Sequence, residues 1–295
     1  MSEIRKAVIP AAGYGTGFLP ATKAQPKELL PIVDKPVIQF IVEEALESGI
    51  EEILIITGRH KRSIEDHFDS NPELEDNLEA KGKQKLLDIV RQTTKANLFF
   101  VRQDYPHGLA DAIYKAKAFV DNEPFAVMLG DNIFESQVPV TKQLIDVYKQ
   151  YKVSNVAVMA VPEDKVDKYG IVEPEDLFIE SPQVYRAKSF IEKPSLDQTS
   201  SRLSIAGRYV LGPEIFNAID QIQPGVEGEL QLTDAINLLN HNQRVFATMV
   251  DAHRFDVGDK MGYMNMSLHY GLQHPETKDE FKDYLIRKSR ELTGQ

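Results

Sequence analysis

Two lysines and a glycine-rich turn stand close together near the start of the chain. Val8-Ile9-Pro10-Ala11-Ala12-Gly13-Tyr14-Gly15-Thr16 reads as a strand opening into a loop, with Lys23 and Pro26-Lys27-Glu28 just behind it. Such a loop presents backbone N–H groups, and the ammonium groups add positive charge, so the combination suits a polyphosphate. The expected ligand is a nucleoside triphosphate, received by Ala11, Ala12, Gly13, Gly15 and Thr16. Two common phosphate loops do not fit. The third glycine position of a Rossmann fingerprint falls on Phe18, and no segment has the glycine-lysine-serine/threonine ending of a Walker loop.

A carboxylate belongs to the same chemistry. Phe125 to Leu129 is an apolar strand, and Gly130 leads from it to Asp131. Ligands of open α/β sheets sit at the carboxyl ends of the strands, so Asp131 is expected there, where it can hold Mg2+ beside phosphate oxygens. The chain has no cysteine, which excludes disulfides, thiolate catalysis and the usual structural zinc sites. Its seven histidines show no paired metal spacing. The basic run Arg59-His60-Lys61-Arg62 is short and free of aromatics, in a chain of net charge −11. It reads as a solvated loop leading to a helix start at Ser63, with Asp66 three residues on, and not as a nucleic-acid surface.

These residues need a frame. Strands are expected near Lys6 to Pro10, Glu52 to Thr57, Leu98 to Arg102 and Phe125 to Leu129, alternating with amphipathic segments. Pro36 to Ser48 carries Ile38, Ile41, Val42, Ala45 and Leu46 at helical spacing, with Gly49 as its stop. Asn71 to Lys95 is charged and reads as an inserted, solvent-facing helical excursion broken at Gly82. Later strands at Val156 to Val161, Gly170 to Glu173, Val184 to Ile191 and Leu203 to Leu211 have few helices between them. Helices return at Pro213 to Ile222, Thr233 to Asn240 and Met261 to Leu272. The fold class is therefore α/β: a Rossmann-like, mostly parallel sheet flanked by helices, with a partly antiparallel extension. One domain is expected over residues 1–295, with a nucleotide half (1–150), a sugar half (151–275) and a charged C-terminal helix as a docking or oligomer element. No apolar stretch is long enough for a membrane span and Ala7 already lies in a strand, so a cytoplasmic protein without signal peptide is expected.

The segments AAGYGTG and FLPATKAQPKELLPIVDKP resemble the signature of the sugar-nucleotide pyrophosphorylases, and of their bacterial UTP–glucose-1-phosphate uridylyltransferase branch in particular. Further matches run in order through TGRHKRSIEDHFD, VRQDYPHGLADAI, PFAVMLGDN, YGIVEP, FIEKP, GRYVL, ELQLTDAI and RFDVGDKMGYM. The resemblance implies the nucleotide-diphospho-sugar transferase fold and a Mg2+-dependent reaction of UTP with glucose 1-phosphate that yields UDP-glucose and pyrophosphate. It implies that Lys27 and Lys193 meet phosphoryl oxygens, that Gln103 and Gly108 receive the uracil, and that Gly170, Glu192 and Gly207 face glucose. Asp131 and Asp256 would share the metal. Homo-oligomerisation is implied as well.

Three departures stand out. Gly17 replaces the arginine that follows the turn in the family signature, GLADA replaces GLGHA, and GDN replaces GDD. Gly17 removes a cation from a reaction that needs cations, worth about 100- to 1000-fold in rate. It leaves open a weak paralogue that binds or regulates instead of turning over, and base choice leaves dTTP open beside UTP.

Overall fold

The computed structural model describes residues 4–179 and 183–294. The first half supplies β1 (Lys6–Ala11), the short pair β2 (Pro31–Ile32) and β3 (Lys35–Pro36), β4 (Glu52–Thr57), β5 (Leu98–Arg102), β6 (Phe125–Met128) and β7 (Asn132–Glu135). The second supplies β8 (Asn155–Ala160), β9 (Gly170–Ile179), β10 (Val184–Glu192), β11 (Leu203–Leu211), β12 (Phe246–Met249) and β13 (His253–Asp256). Nine of these form one sheet in the order β5-β4-β1-β6-β11-β8-β12-β10-β9.

Strands β5, β4, β1 and β6 are mutually parallel, with Ala11 level with Thr57 and Thr57 level with Arg102. The apolar runs of β1, β4 and β6 are buried on both faces, as a parallel sheet between helices requires, while β5 at the edge is only partly buried. All four therefore deliver their carboxyl ends to one edge. Beyond β6 the pairing turns: β11 is antiparallel to β6 and β8, β12 runs parallel to β8, and β10 and β9 close the sheet antiparallel. The expected mixed sheet with an antiparallel extension is what the chain forms.

Eleven helices among the described residues are α1 (Val37–Glu47), α2 (Arg62–Phe68), α3 (Pro72–Ala80), α4 (Gln84–Thr93), α5 (Leu109–Tyr114), α6 (Lys117–Val120), α7 (Val140–Tyr151), α8 (Ile215–Ile219), α9 (Leu232–Asn242), α10 (Lys260–Gly271) and α11 (Lys278–Thr293). Helices α1, α7 and α10 help cover one face of the sheet, where Ile38, Ile41, Leu144 and Met266 join one core cluster. Helices α5, α8 and α9 help cover the other, with Ile113, Phe216 and Leu232 in a second. Gly49 sits at φ +87° just beyond α1, the left-handed stop its position suggested.

The excursion over Asn71 to Lys95 is a helix pair, α3 and α4, turned at Gly82 with φ +63°. Helix α7 had no place in the sequence reading because its ends carry weak signals. It begins after Pro139 and ends on Lys152 in the left-handed region, where glycine is the usual signal. The basic run behaves differently from the sequence reading. Lys61, not Ser63, occupies the position before α2, no side chain caps that helix, and Lys61 is itself buried. Helix α11 buries no side chain completely and leaves Tyr284, Ile286 and Leu292 exposed.

Candidate active site

At the carboxyl edge of the parallel strands, Gly13 and Gly15 carry the loop after β1 across the top of the sheet. Gly15 lies at φ +67°, and a side chain there would press on Lys27 and Thr22 at 3.2 Å. Thr22 donates its hydroxyl to the Gly15 carbonyl at 2.6 Å, tying the loop to the turn that carries Lys23. The N–H groups of Gly13, Tyr14 and Gly15 find no acceptor among the described residues, which leaves them available to an anion.

Lys27 and Asp131 meet below that loop, Nζ to Oδ2 at 3.2 Å. The Asp131 carboxylate raises the Lys27 pKa against the pull of burial, with Glu28 and Asp256 adding to the effect. Burial pushes the Asp131 carboxyl up, but Lys27 and the Asn132 amide, 2.9 Å from Oδ1, outweigh it and hold it below the usual carboxylate value. The signs follow from linkage. The stability Asp131 contributes is complete above its unfolded value of 3.8 and is lost as pH falls through the lower folded value. That of Lys27 is complete below 10.5 and is lost as pH rises through the higher folded value. We therefore expect the pH profile of activity to show no inflection from this pair between about pH 5 and pH 9. An inflection in that range that moves in Asp131→Asn would contradict the assignment.

Asp256 comes from the other end of the sequence. Strand β13 pairs antiparallel with β7, setting Asp256 level with Asn132, and the Val257 N–H donates to the Asp131 carbonyl at 2.8 Å. A side chain on Gly258 would lie 3.0 Å from Asp256 Oδ1 and 3.7 Å from Asp131 Oδ2. The two carboxylates thus face one cradle that glycine leaves open. Tyr169 donates to Asp256 Oδ2 at 2.7 Å, and burial first, then this bond, pushes the phenol up to about 12. Two carboxylates plus phosphate oxygens and water make a suitable set for Mg2+. No group of three or more acidic or histidine side chains able to hold a metal occurs among the described residues.

Three adjoining cavities meet here. A central one of about 330 Å³ is lined by Gly13, Lys27, Gln103, Gly108 and Asp131. A second of about 270 Å³ shares Asp131 and adds Gly170, Glu192, Gly207 and Asp256. A third of about 770 Å³ shares Lys27 and adds Thr16, Lys23, Arg59 and Lys61. Gln103 is buried and donates its amide N–H groups to Asp111 at 2.6 Å and the Gly108 carbonyl at 3.3 Å. Gly108 has φ +112°, and a side chain there would strike the Leu230 carbonyl at 2.5 Å, so only glycine fits. Glu192 accepts from Thr233 at 2.6 Å, and its pKa is raised mainly by burial. Gly207 lies at φ +69°, and a side chain there would come within 2.8 Å of the Asn132 amide nitrogen.

Of the sequence candidates, Ala12, Gly13, Thr16, Lys27, Gln103, Gly108, Asp131, Gly170, Glu192, Gly207 and Asp256 all line these cavities. Ala11 ends β1 and Gly15 shapes the loop beneath them. Lys193 is not brought among the cavity-lining groups. It sits at φ +44° with Nζ on Glu227 at 2.9 Å. The sequence reading missed several supports. Glu28 and Lys61 form a buried pair at 2.9 Å beneath Lys27, and burial lowers the Lys61 pKa against the attraction of Glu28. Arg59, read as solvated, borders the largest of the three cavities and has no ion pair among the described residues. Arg208, fully buried, donates to Glu44 at 2.7 Å, to the carbonyls of Leu129 and Asn132 on either side of Asp131, and to the Gly207 carbonyl. The GR pair of GRYVL was its one signal.

The nucleotidyl transferase family model matches residues 6–272. A UTP–glucose-1-phosphate uridylyltransferase of Streptococcus pneumoniae serotype 4 is 56% identical over 99% of this chain and 98% of its own. One from Streptococcus pyogenes is 54% identical over 99% and 97%. Among solved structures, a UDP-glucose pyrophosphorylase complexed with UDP-glucose is 40% identical with a TM-score of 0.83, covering 92% of this chain and 100% of that one. A UTP-bound UGPase from Acinetobacter baumannii, also 40% identical, reaches 0.88 over 96% and 99%.

Proposed function

The chain belongs to the nucleotidyl transferase family, in its UTP–glucose-1-phosphate uridylyltransferase branch, and from that premise we propose that it joins UTP and glucose 1-phosphate into UDP-glucose and pyrophosphate. One observation carries the reading. The three cavities adjoin in a row, with Asp131 at one junction and Lys27 at the other, as expected for sugar phosphate, reacting centre and departing pyrophosphate. An oxygen of glucose 1-phosphate forms a bond to the α-phosphorus of UTP while the bond to the β-phosphate oxygen breaks, its electron pair leaving with pyrophosphate. The attacking oxygen is already anionic, so no general base is needed. The protein's work is positioning and charge neutralisation.

In this reading the free N–H groups of the glycine loop and Lys27 receive the triphosphate. Gln103 and Gly108 hold uracil, and Glu192 with the backbone at Gly170 and Gly207 holds glucose. Asp131 and Asp256 would hold Mg2+, which supplies charge neutralisation on phosphate oxygens when bound. Lys193 reaches a phosphoryl oxygen only if it leaves Glu227. Residues 1–295 act as one nucleotidyltransferase domain in the cytoplasm. The exposed apolar side chains of α11 make it the docking element of a homo-oligomer, and removal of residues 278–295 is expected to yield monomers by light scattering.

Gly17 tests the balance of cations. An arginine there would bring its Cβ to 3.0 Å from the Gly258 carbonyl, in the loop next to Asp256, so the exchange disturbs the carboxylate cradle. Arg59 already stands on the wall of the triphosphate cavity with a fork suited to phosphate. We therefore expect wild-type protein with UTP, glucose 1-phosphate and Mg2+ to release pyrophosphate, and Gly17→Arg to gain less than about tenfold. A gain near 1000-fold would favour a catalytically weak binding paralogue, and no release from either protein would end the proposal.

A further inference from the structure

Gln103 faces the central cavity, and its amide has one donor end and one acceptor end of nearly the same shape. Which end meets the ligand decides what the ligand must offer. The structure assigns that decision to Asp111: we infer that its carboxylate, behind Gln103, turns the acceptor end of the amide toward the nucleotide base and so selects a base with an N–H at that point. The inference rests on the proposed role of Gln103 in holding the base.

An ionised carboxylate can only accept, so the group 2.6 Å from Asp111 Oδ2 must be the amide nitrogen of Gln103. The other N–H points to a second pure acceptor, the Gly108 carbonyl at 3.3 Å. Both donors are thereby occupied. Gln103 Oε1 is absent from the buried atoms that lack a partner and has no partner within the described residues, so it is left to the cavity. The buried side chain cannot turn over without setting its oxygen against two acceptors. Asp111 is held in place by the first turn of α5, whose start at Gly108 is fixed by Leu230: the Ala110 N–H donates to the Leu230 carbonyl at 3.0 Å. Lys115, one turn on, lies 3.8 Å from its Oδ1.

The second reading group is the backbone. The Gly108 N–H has no acceptor among the described residues and belongs to the same cavity wall. An acceptor and a donor therefore stand side by side. Uracil offers the complement, N3–H beside a carbonyl oxygen. Cytosine offers the reverse, a bare N3 beside an amino group, so both contacts become repulsive. Thymine shares the uracil edge, and Asp111 does not separate the two. Asp111 touches no ligand in this scheme and acts as a positioning residue through Gln103.

The test compares kcat/KM for UTP and CTP, each with glucose 1-phosphate and Mg2+, in wild type, Asp111→Asn and Asp111→Ala. An asparagine can donate where the carboxylate could only accept, and alanine removes the carboxylate and leaves only the longer contact to the Gly108 carbonyl. In both variants the preference for UTP over CTP is expected to shrink at least about tenfold. A merely structural role would lower both substrates together and leave the ratio alone. Circular dichroism identifies a variant that has not folded, and the other variant then decides. A wild-type preference that survives intact in the folded variants overturns the assignment to Asp111. Wild-type protein that neither turns over nor binds UTP by calorimetry would instead remove the reading of Gln103 beneath it.

Discussion

Lys27→Ala is expected to slow pyrophosphate release by about 100- to 1000-fold, the usual cost of one preorganised charge stabiliser at the reacting centre. Three observations set the size. The ammonium sits 3.2 Å from Asp131, borders both the central cavity and the largest of the three, and has its charged form reinforced by Asp131 above all. The loss should appear mainly in kcat. UDP-glucose binding, measured by calorimetry, should change far less, because the loop N–H groups, Gln103 and Glu192 remain. Lys27→Arg keeps the charge but not the shape, and is expected to recover only part of the rate. Wild-type kcat in Lys27→Ala would remove Lys27 from the chemistry.

The second large effect lies in a residue that lines none of the three cavities. Arg208→Ala is expected to destabilise the fold by about 3–5 kcal/mol, the range for removing one partner of a buried ion pair. Arg208 is fully buried, and its guanidinium joins Glu44 on α1 to the carbonyls of Leu129, Gly207 and Asn132. Phe134 lies under it, with the guanidinium carbon 4.8 Å from the ring centroid. Removing the cation leaves the Glu44 carboxylate without its charge partner, held only by the Thr141 N–H and hydroxyl, and takes a donor from three carbonyls at once. Urea unfolding reads the loss directly. A double replacement, Glu44→Leu with Arg208→Met, should cost less than Arg208→Ala alone, since no buried charge is left over. A loss below about 1 kcal/mol in Arg208→Ala would contradict this account.

What could be read from the residues and what could not divides along physical lines. The strands β1, β4 and β6 were legible because a parallel strand buried on both faces is an uninterrupted apolar run, and β5, part-exposed at the sheet edge, was legible from the apolar row Leu98 to Val101. The carboxyl edge followed from them, and with it the positions of Gly13, Gln103 and Asp131. Helix α7 and strand β12 were not legible, because Pro139, Lys152 and the run Phe246–Met249 carry no strong start or stop signal of their own. The neighbourhood of Asp131 and Asp256 depends on the pairing of β7 with β13, residues more than a hundred positions apart. No local pattern announces such a ladder. The basic run failed for another reason: charge alone does not say whether a lysine is solvated, and Lys61 is buried because Glu28 is there to pair with it. The departure at Asp111 was visible as a letter change, while its bond to Gln103 needed the fold.

A crystal structure with UDP-glucose and Mg2+ would locate the sugar nucleotide on the protein. The account predicts uracil against Gln103 and Gly108, the diphosphate between Lys27 and Asp131, glucose against Glu192 and Gly207, and the cation on Asp131 and Asp256. Electron density for the ligand anywhere else on the protein, or a metal that avoids both aspartates, would contradict it.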